Sequence, residues 1–313
     1  MAYEWGQGER VAEGFRRIAG DELDRAVAGL RHPDDRGVEA TVHDVRKRTK
    51  KVRGLARLVR PGLAPRDYRT VNRTARDAAA EISSIRDAHA LLGSFDRLLV
   101  EGHDTGQGSA DPALLAVRAE LTRRAHEATR AVAEQHDRIG RALAGLEALR
   151  AFVAQCQVAD HAGVLVEGAT SAYRAGRKAM DRAADQGDDE TLHEWRKREK
   201  ELWYATRLLA PAAPAVLGAQ AQVLHALSED LGDDHDLAVL VDLLGVDPTA
   251  FGGEEAATAT VERARRARRR LQRRAHGLGV QVYAEKPSAF GRRLRSHWKA
   301  WRREGHALPS GDR

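Results

Sequence analysis

One stretch of this chain occurs twice. Val42–Pro61, VHDVRKRTKKVRGLARLVRP, aligns without a gap with Leu192–Pro211, LHEWRKREKELWYATRLLAP, at an offset of 150 residues. Eight of the twenty positions are identical: His43/His193, Arg46/Arg196, Lys47/Lys197, Arg48/Arg198, Lys50/Lys200, Arg57/Arg207, Leu58/Leu208 and Pro61/Pro211. A weaker echo joins Ile85–Leu92 to Asp234–Val241. A repeat of this length constrains the whole molecule, because whatever the first copy folds into, the second must fold into as well. In 313 residues it implies two related halves. They divide near Gln155–Asp160, and we take them as residues 8–157 and 158–303, with 1–7 and 304–313 as flexible termini.

The remaining pattern is helical. Apolar residues recur at helical spacing over about Glu9–Arg31, Thr41–Arg60 with Thr41 as cap, Pro65–Val100, Pro112–Gln157, Asp160–Gln186, Asp189–Ala210, Pro214–Leu244, Glu254–His276 and Ser288–Arg303. The Gly-rich stretch Glu101–Asp111 reads as a loop, and Val280–Tyr283 is too short to compete as a strand. A charged share of 31% beside only 5% aromatics suits helices better than sheets. Helices joined by short turns pack as antiparallel bundles, so the expectation is an all-α protein. The single cysteine, Cys156, excludes an internal disulfide framework and a Cys-based zinc site, and is expected to be a buried small hydrophobe. The chain opens with no basic segment followed by an apolar one. Its longest run free of Lys, Arg, Asp and Glu, Leu208–Ser228, contains Pro211 and Pro214 and reads as a helix end, a turn and a new helix. A soluble, cytoplasmic protein with no membrane association is therefore expected.

Projected at about 100° per residue, each repeated helix separates into two faces. In the first copy His43, Arg46, Lys47, Lys50, Arg53 and Arg57 fall in one sector of about 120°. In the second, His193, Arg196, Lys197, Lys200, Trp203, Tyr204 and Arg207 fill the same sector. The acids Asp44, Glu194, Glu199 and Glu201 project outside it. Val45, Val52 and Val59 lie opposite in one copy, and Trp195, Leu202 and Leu209 in the other. A solvated amphipathic helix normally intersperses acids among its cations, because like charges one turn apart repel. An unmixed cationic sector that occurs twice in phase points instead to a polyanion site.

Other clusters leave alternatives open. Asp230, Asp233, Asp234, His235 and Asp236 could hold a cation or mark a helix boundary with a capping Asp. Arg263–Arg274 holds eight arginines and no acid, which suits a second polyanion surface or a solvated helix equally. Trp298 and Trp301, among Arg292, Arg293, Arg295 and Lys299, suggest a docking helix. Trp195 is expected in the core, and Trp203 either flanks the site or packs on the neighbouring bundle. No Gly-Lys-Ser/Thr, HExxH or GxSxG occurs. His43 follows Val42 rather than an Arg, which removes an Arg-His-Gly phosphatase turn. Binding chemistry is visible without a nucleophile or catalytic carboxylate pair, so the chain is expected not to be an enzyme and to need no cofactor or metal.

The paired His–Arg–Lys helices resemble the CHAD family, the conserved histidine α-helical domain. Its pattern is a helix opening on His, with Arg three residues on, Lys or Arg at seven and often Arg at ten. His43, Arg46, Lys50 and Arg53 fit throughout; His193, Arg196 and Lys200 fit, with Trp203 in place of the last Arg and the aromatic Tyr204 after it. Tyr173-Arg174-Ala175-Gly176-Arg177-Lys178 looks like the family's Tyr-Arg-x-Gly-Arg stretch, and Leu23–Ala28 in the first half lacks it. The resemblance covers roughly residues 8 to 303. It implies two pseudo-symmetric antiparallel four-helix bundles with basic helices lining a central groove or pore. It also implies binding of inorganic polyphosphate, in some members on polyphosphate granules. Tyr173, Arg174, Arg177 and Lys178 then join the two basic sectors as candidate ligand contacts. The Glu-x-Glu-x-Lys motif of fused triphosphate-tunnel domains is absent, so a stand-alone member is expected. His43 and His193, near helix N-termini, are expected to donate to phosphate, more strongly when protonated. A nucleic-acid ligand on the same faces is the alternative, although aromatics and amides, which base recognition uses, are sparse in the two sectors.

Overall fold

The computed structural model describes residues 3–33, 37–103, 112–134 and 136–307. Most of the expected loop at 101–111 and the outer parts of both termini lie outside the described residues. Among the described residues the protein is all-α, with eleven α-helices and no strand beyond an isolated bridge between Leu63 and Val158. The first half contributes α1 (Val11–Arg31), α2 (Gly37–Leu58), α3 (Pro65–Ala80), α4 (Ser83–His103), α5 (Pro112–Glu134) and α6 (His136–Gln155). The second contributes α7 (Gly163–Gln186), α8 (Asp189–Leu209), α9 (Ala219–Val246), α10 (Glu254–Val282) and α11 (Pro287–Ala307). No described helix is long and apolar enough to cross a membrane.

The repeat is visible in the backbone. The helices α2 and α8 each run into a one-turn 3-10 segment, Arg60–Gly62 and Ala210–Ala212, with Pro61 and Pro211 inside it. Proline lacks the N–H that the next helical turn would need, so each helix stops at the same place. Their starts differ from expectation. Gly37, at φ +88°, begins α2 a turn early, a conformation glycine adopts without a Cβ penalty. Thr41 therefore lies buried inside the helix rather than capping it. The start of α8 is capped by Asp188, whose carboxylate accepts from the Thr191 N–H at 2.8 Å. The single helix expected from Pro65 to Val100 breaks at Glu81–Ile82 into α3 and α4, whereas α9 runs through the matching region unbroken.

The apolar faces form the core. Val45, Val52, Val59, Trp195, Leu202 and Leu209 are all buried, as the projection requires. In the first half α1, α2, α3 and α6 pack in a closed ring. In the second, α7 packs on α8 and α11, and α8–α9–α10 follow in sequence. The α4–α5 hairpin does not complete the first ring; it lies on α9 and α10. There Phe95, Leu98, Leu114, Val117 and Leu121 share a second core with Leu237, Leu240, Leu244 and Phe251. The reason is length: α9 has 28 residues, about 42 Å, and its far half needs cover that α8 does not supply.

The segment before α1 is not loose where it is described. Tyr3 and Trp5 are buried, Tyr3 donates its hydroxyl to the Lys51 carbonyl at 2.8 Å, and the Trp5 N–H bonds the Leu208 carbonyl at 3.0 Å. Cys156 is buried, and that burial pushes its thiol up to about 11.

Candidate functional site

The two repeated helices α2 and α8 lie against one another, and the contact is set by a glycine. A Cβ on Gly54 would stand 2.8 Å from the Tyr204 Cβ, closer than two side chains pack. Hydrogen at this one position lets the helices cross, and Tyr3 packs edge-on beneath Tyr204 with ring centroids 6.1 Å apart. The crossing brings the start of each helix beside the end of the other.

Two cavities result. One, of about 620 Å³, is lined by His43, Arg46, Lys47 and Lys50 from the start of α2, by Arg196, Lys200, Trp203, Tyr204 and Arg207 from α8, and by Ala221, Gln222 and His225 from α9. The other, of about 400 Å³, is lined by His193, Arg196, Lys197, Arg198, Lys200, Glu201 and Tyr204 from α8 and by Lys50, Arg53 and Arg57 from α2. Lys50, Arg196, Lys200 and Tyr204 belong to both, so the cavities are two ends of one groove.

Their electrostatics differ. Among the described residues the larger cavity has six Arg and Lys in its lining and no acid. In the smaller one the acids that project outside the basic sector reach back to it. Glu201 pairs with Arg57 (Nε–Oε1 3.1 Å) and Arg198 (Nη1–Oε2 3.2 Å), and Glu194 pairs with Lys197 at 2.5 Å and Arg198 at 2.7 Å. Arg53 donates from Nε to the Asn72 side-chain oxygen at 2.9 Å. Burial, with Arg57 and Arg76 nearby, pulls its guanidinium below the usual range. The repeated Arg48 and Arg198 each pair with an acid one turn back, Asp44 and Glu194, and Arg48 also reaches the buried Glu22 of α1 at 3.1 Å.

The histidines sit further along than expected. His43 is the seventh residue of α2 and His193 the fifth of α8, past the first-turn N–H groups that give a helix N-terminus its affinity for anions. The His193 ring lies 4.4 Å from that of His235, and its Nδ1 is buried with no hydrogen-bond partner among the described residues. Burial, followed by His235, Lys197 and Arg196, lowers its pKa; burial and Arg196 likewise lower that of His235.

Tyr173, Arg174, Arg177 and Lys178 on α7 do not line the groove. Tyr173 is buried and stacked on Phe290 at 4.4 Å. Its hydroxyl donates to the Glu285 carbonyl at 3.0 Å and accepts from the Glu285 N–H at 3.1 Å, and Arg177 donates to the same carbonyl at 2.9 Å. This pair fastens the turn between α10 and α11. Arg174 lines a separate cavity with Arg292 and Arg295, and Lys178 is exposed.

The acidic cluster is neither a helix boundary nor an open acid ring. It lies inside α9 and takes arginines from α4 and α10: Asp230 pairs with Arg274 at 2.5 Å, Asp233 with Arg97 at 2.8 Å and Asp234 with Arg268 at 3.0 Å. Two of the α10 arginines thus pair with this cluster; Arg265, Arg266, Arg269, Arg270 and Arg273 are exposed, and Arg266 stands 3.7 Å from Glu262 on the same helix. On the buried side of α8, Glu199 is fully enclosed. Burial raises its carboxyl to about 8, outweighing Lys200, Ser228 and Arg196 beside it. Gln222 and His225 are the groove residues that the repeat alone does not find, and His235 lies against the His193 ring. They lie on α9, and only the packing of α9 on α8 brings them there.

Comparison with known proteins agrees with this architecture. Residues 19–245 match the CHAD domain family. The crystal structure of the CHAD domain from the plant Ricinus communis superposes with a TM-score of 0.54 at 21% identity, covering 100% of this chain and 97% of that one. PptA from Streptomyces chartreusis gives the same TM-score at 15% identity, covering 93% and 97%. At these identities the likeness to the two structures concerns the fold. No curated protein matches the chain. The family match spans most of the residues and contains both His–Arg–Lys helices, and the chain belongs to the CHAD domain family.

Proposed function

We propose that this protein binds inorganic polyphosphate along the α2–α8 groove, as a binding or scaffold protein rather than an enzyme. The observation that carries the reading is the larger cavity, where Arg46, Lys47, Lys50, Arg196, Lys200 and Arg207 converge with no acid among the described lining residues. Polyphosphate carries about one negative charge per unit and offers only phosphate oxygens. Arg forks two N–H bonds onto such oxygens and Lys acts as a point charge. The second cavity continues the same line of cations, as a chain ligand requires. The close approach of α2 and α8 at Gly54 and Tyr204 supports a preorganised site. A granule-associated role in the cytoplasm is part of the proposal and follows from the ligand.

The test is a titration of the purified chain with long-chain polyphosphate at several salt concentrations, with duplex DNA and RNA as competitors. Tight, salt-dependent binding that nucleic acid does not displace is the expected result. Equal or stronger binding of nucleic acid would make the groove a general polyanion surface. Phosphate release on incubation with divalent cations would contradict the non-enzymatic part of the proposal.

A further inference from the structure

The two ends of the groove are built from equivalent positions, which allows one to be read against the other. Pro65 opens α3, and Pro214 opens the short π-helical turn that leads into α9. Counted from these prolines, Gln222 and His225 stand where the first half has Arg73 and Arg76. The burial pattern supports this register, since Ala75 and Leu224, then Ala78 and Leu227, are buried in step. On the repeated helices Trp203 stands where the first half has Arg53. Three arginines of the first half, Arg53 in the smaller cavity and Arg73 and Arg76 on α3, are thus matched by a tryptophan, a histidine and an amide that all line the larger cavity.

These three are assembled, not scattered. The Trp203 and His225 rings are parallel within 16°, with centroids 5.0 Å apart, and the Arg207 guanidinium lies 5.2 Å from the Trp203 ring centre. The His225 side chain is 54% exposed and Gln222 is exposed beside it. Glu229, one turn further along α9, stands 3.9 Å from His225 Nε2 and is outside the cavity lining. A π-stack that ends on an open ring accepts another flat ring, and a neighbouring amide can both donate to and accept from its edge. Arg196, Lys200 and Arg207 follow directly along the same wall. A bare phosphate chain has no use for the stack, and of the amide it can use only the donor half.

We propose that the Trp203–His225–Gln222 corner is a subsite for an aromatic base, so that the groove accepts nucleoside polyphosphates, the base on the stack and the phosphates on the cations beyond it. The phosphate half of this proposal rests on the groove's affinity for phosphate chains; the base half does not.

The experiment compares ATP with inorganic tripolyphosphate by titration calorimetry on the full chain, at one salt concentration and without divalent metal. Tripolyphosphate has the same number of phosphates and at least as much negative charge, so electrostatics alone favours it. ATP is expected to bind about tenfold tighter or more, since a stacked base contributes on that scale. His225→Ala and Gln222→Ala, at exposed positions, should each weaken ATP by a clearly larger factor than they weaken tripolyphosphate. ATP should also quench tryptophan fluorescence, and Trp203→Phe should abolish the quench. Tripolyphosphate binding as tightly as ATP, or substitutions that weaken both ligands alike, would overturn the base subsite. Long-chain polyphosphate binding without ATP binding would remove the subsite alone, whereas no binding of any of the three would remove the phosphate reading with it.

Discussion

Replacing Arg46 and Arg196 together by Gln should change how polyphosphate binding responds to salt. The acid-free cavity is lined by six cations. For a single-stranded polyanion each neutralised charge contributes about −0.7 to the slope of log affinity against log salt, so the native slope should be about −4. Raising salt fourfold, from about 50 to about 200 mM, then lowers affinity by a factor on the order of 300. With four cations left the slope falls to about −3 and the same change in salt costs a factor of only about 50. The control is Arg265→Gln with Arg269→Gln on the exposed side of α10, which removes the same net charge away from the groove. That variant should keep the native slope. Fluorescence anisotropy with end-labelled polyphosphate at five salt concentrations gives all three slopes. Indistinguishable slopes for the two variants would refute a defined track of cations and leave only the net charge of the protein as the attractor.

Three further outcomes follow from the geometry. Gly54→Ala should destabilise the fold by about 1–3 kcal/mol in urea unfolding, because its Cβ would overlap Tyr204, and it should also weaken polyphosphate binding as the helices part. Glu199 has a folded-state pKa raised to about 8, so its contribution to stability is greatest below the ordinary glutamate range and is lost as pH rises from about 4.5 to 8. Glu199→Gln should flatten that fall, by up to roughly 5 kcal/mol, in unfolding curves collected from pH 5 to 9. His193 is shifted the other way: its lowered pKa leaves the folded state fully favoured above the ordinary histidine range near 6.5 and penalised as pH drops through and below it. The His193 contribution to stability should therefore be lost between pH 7 and 5, against the opposite slope from Glu199, and is read as the difference between the native chain and His193→Gln; polyphosphate should bind more tightly over the same interval with measurable proton uptake, and His193→Gln should reduce that gain.

The helices and the faces of α2 and α8 were legible in the sequence because each depends on local spacing: Val45, Val52 and Val59 alternate with the cations in a single stretch. The family resemblance was legible for the same reason, carried by His43, Arg46 and Lys50 and their second copies. What spacing cannot convey is how far a side chain reaches. Glu194 and Glu201 project outside the basic sector on a wheel, yet their flexible stems return them to Lys197, Arg198 and Arg57. The sequence also cannot say which distant helix a face will meet. Tyr173 and Arg177 carry a motif-like stretch and turn out to hold the Glu285 backbone. Gln222 and His225 carry no motif and line the groove. The acids of α9 resembled a cation site only until Arg97, Arg268 and Arg274 arrived from elsewhere in the chain.

The close crossing at Gly54 and Tyr204 has a kinetic consequence. Helices held at contact by backbone and ring cannot close around a ligand, so the ordering on binding falls on the ligand. Encounter then depends on attraction from a distance, and its rate should fall with ionic strength. Departure depends on breaking short contacts one unit at a time, which salt affects much less. A long ligand released at one position is still held at the next, so it can creep along the groove far more often than it escapes.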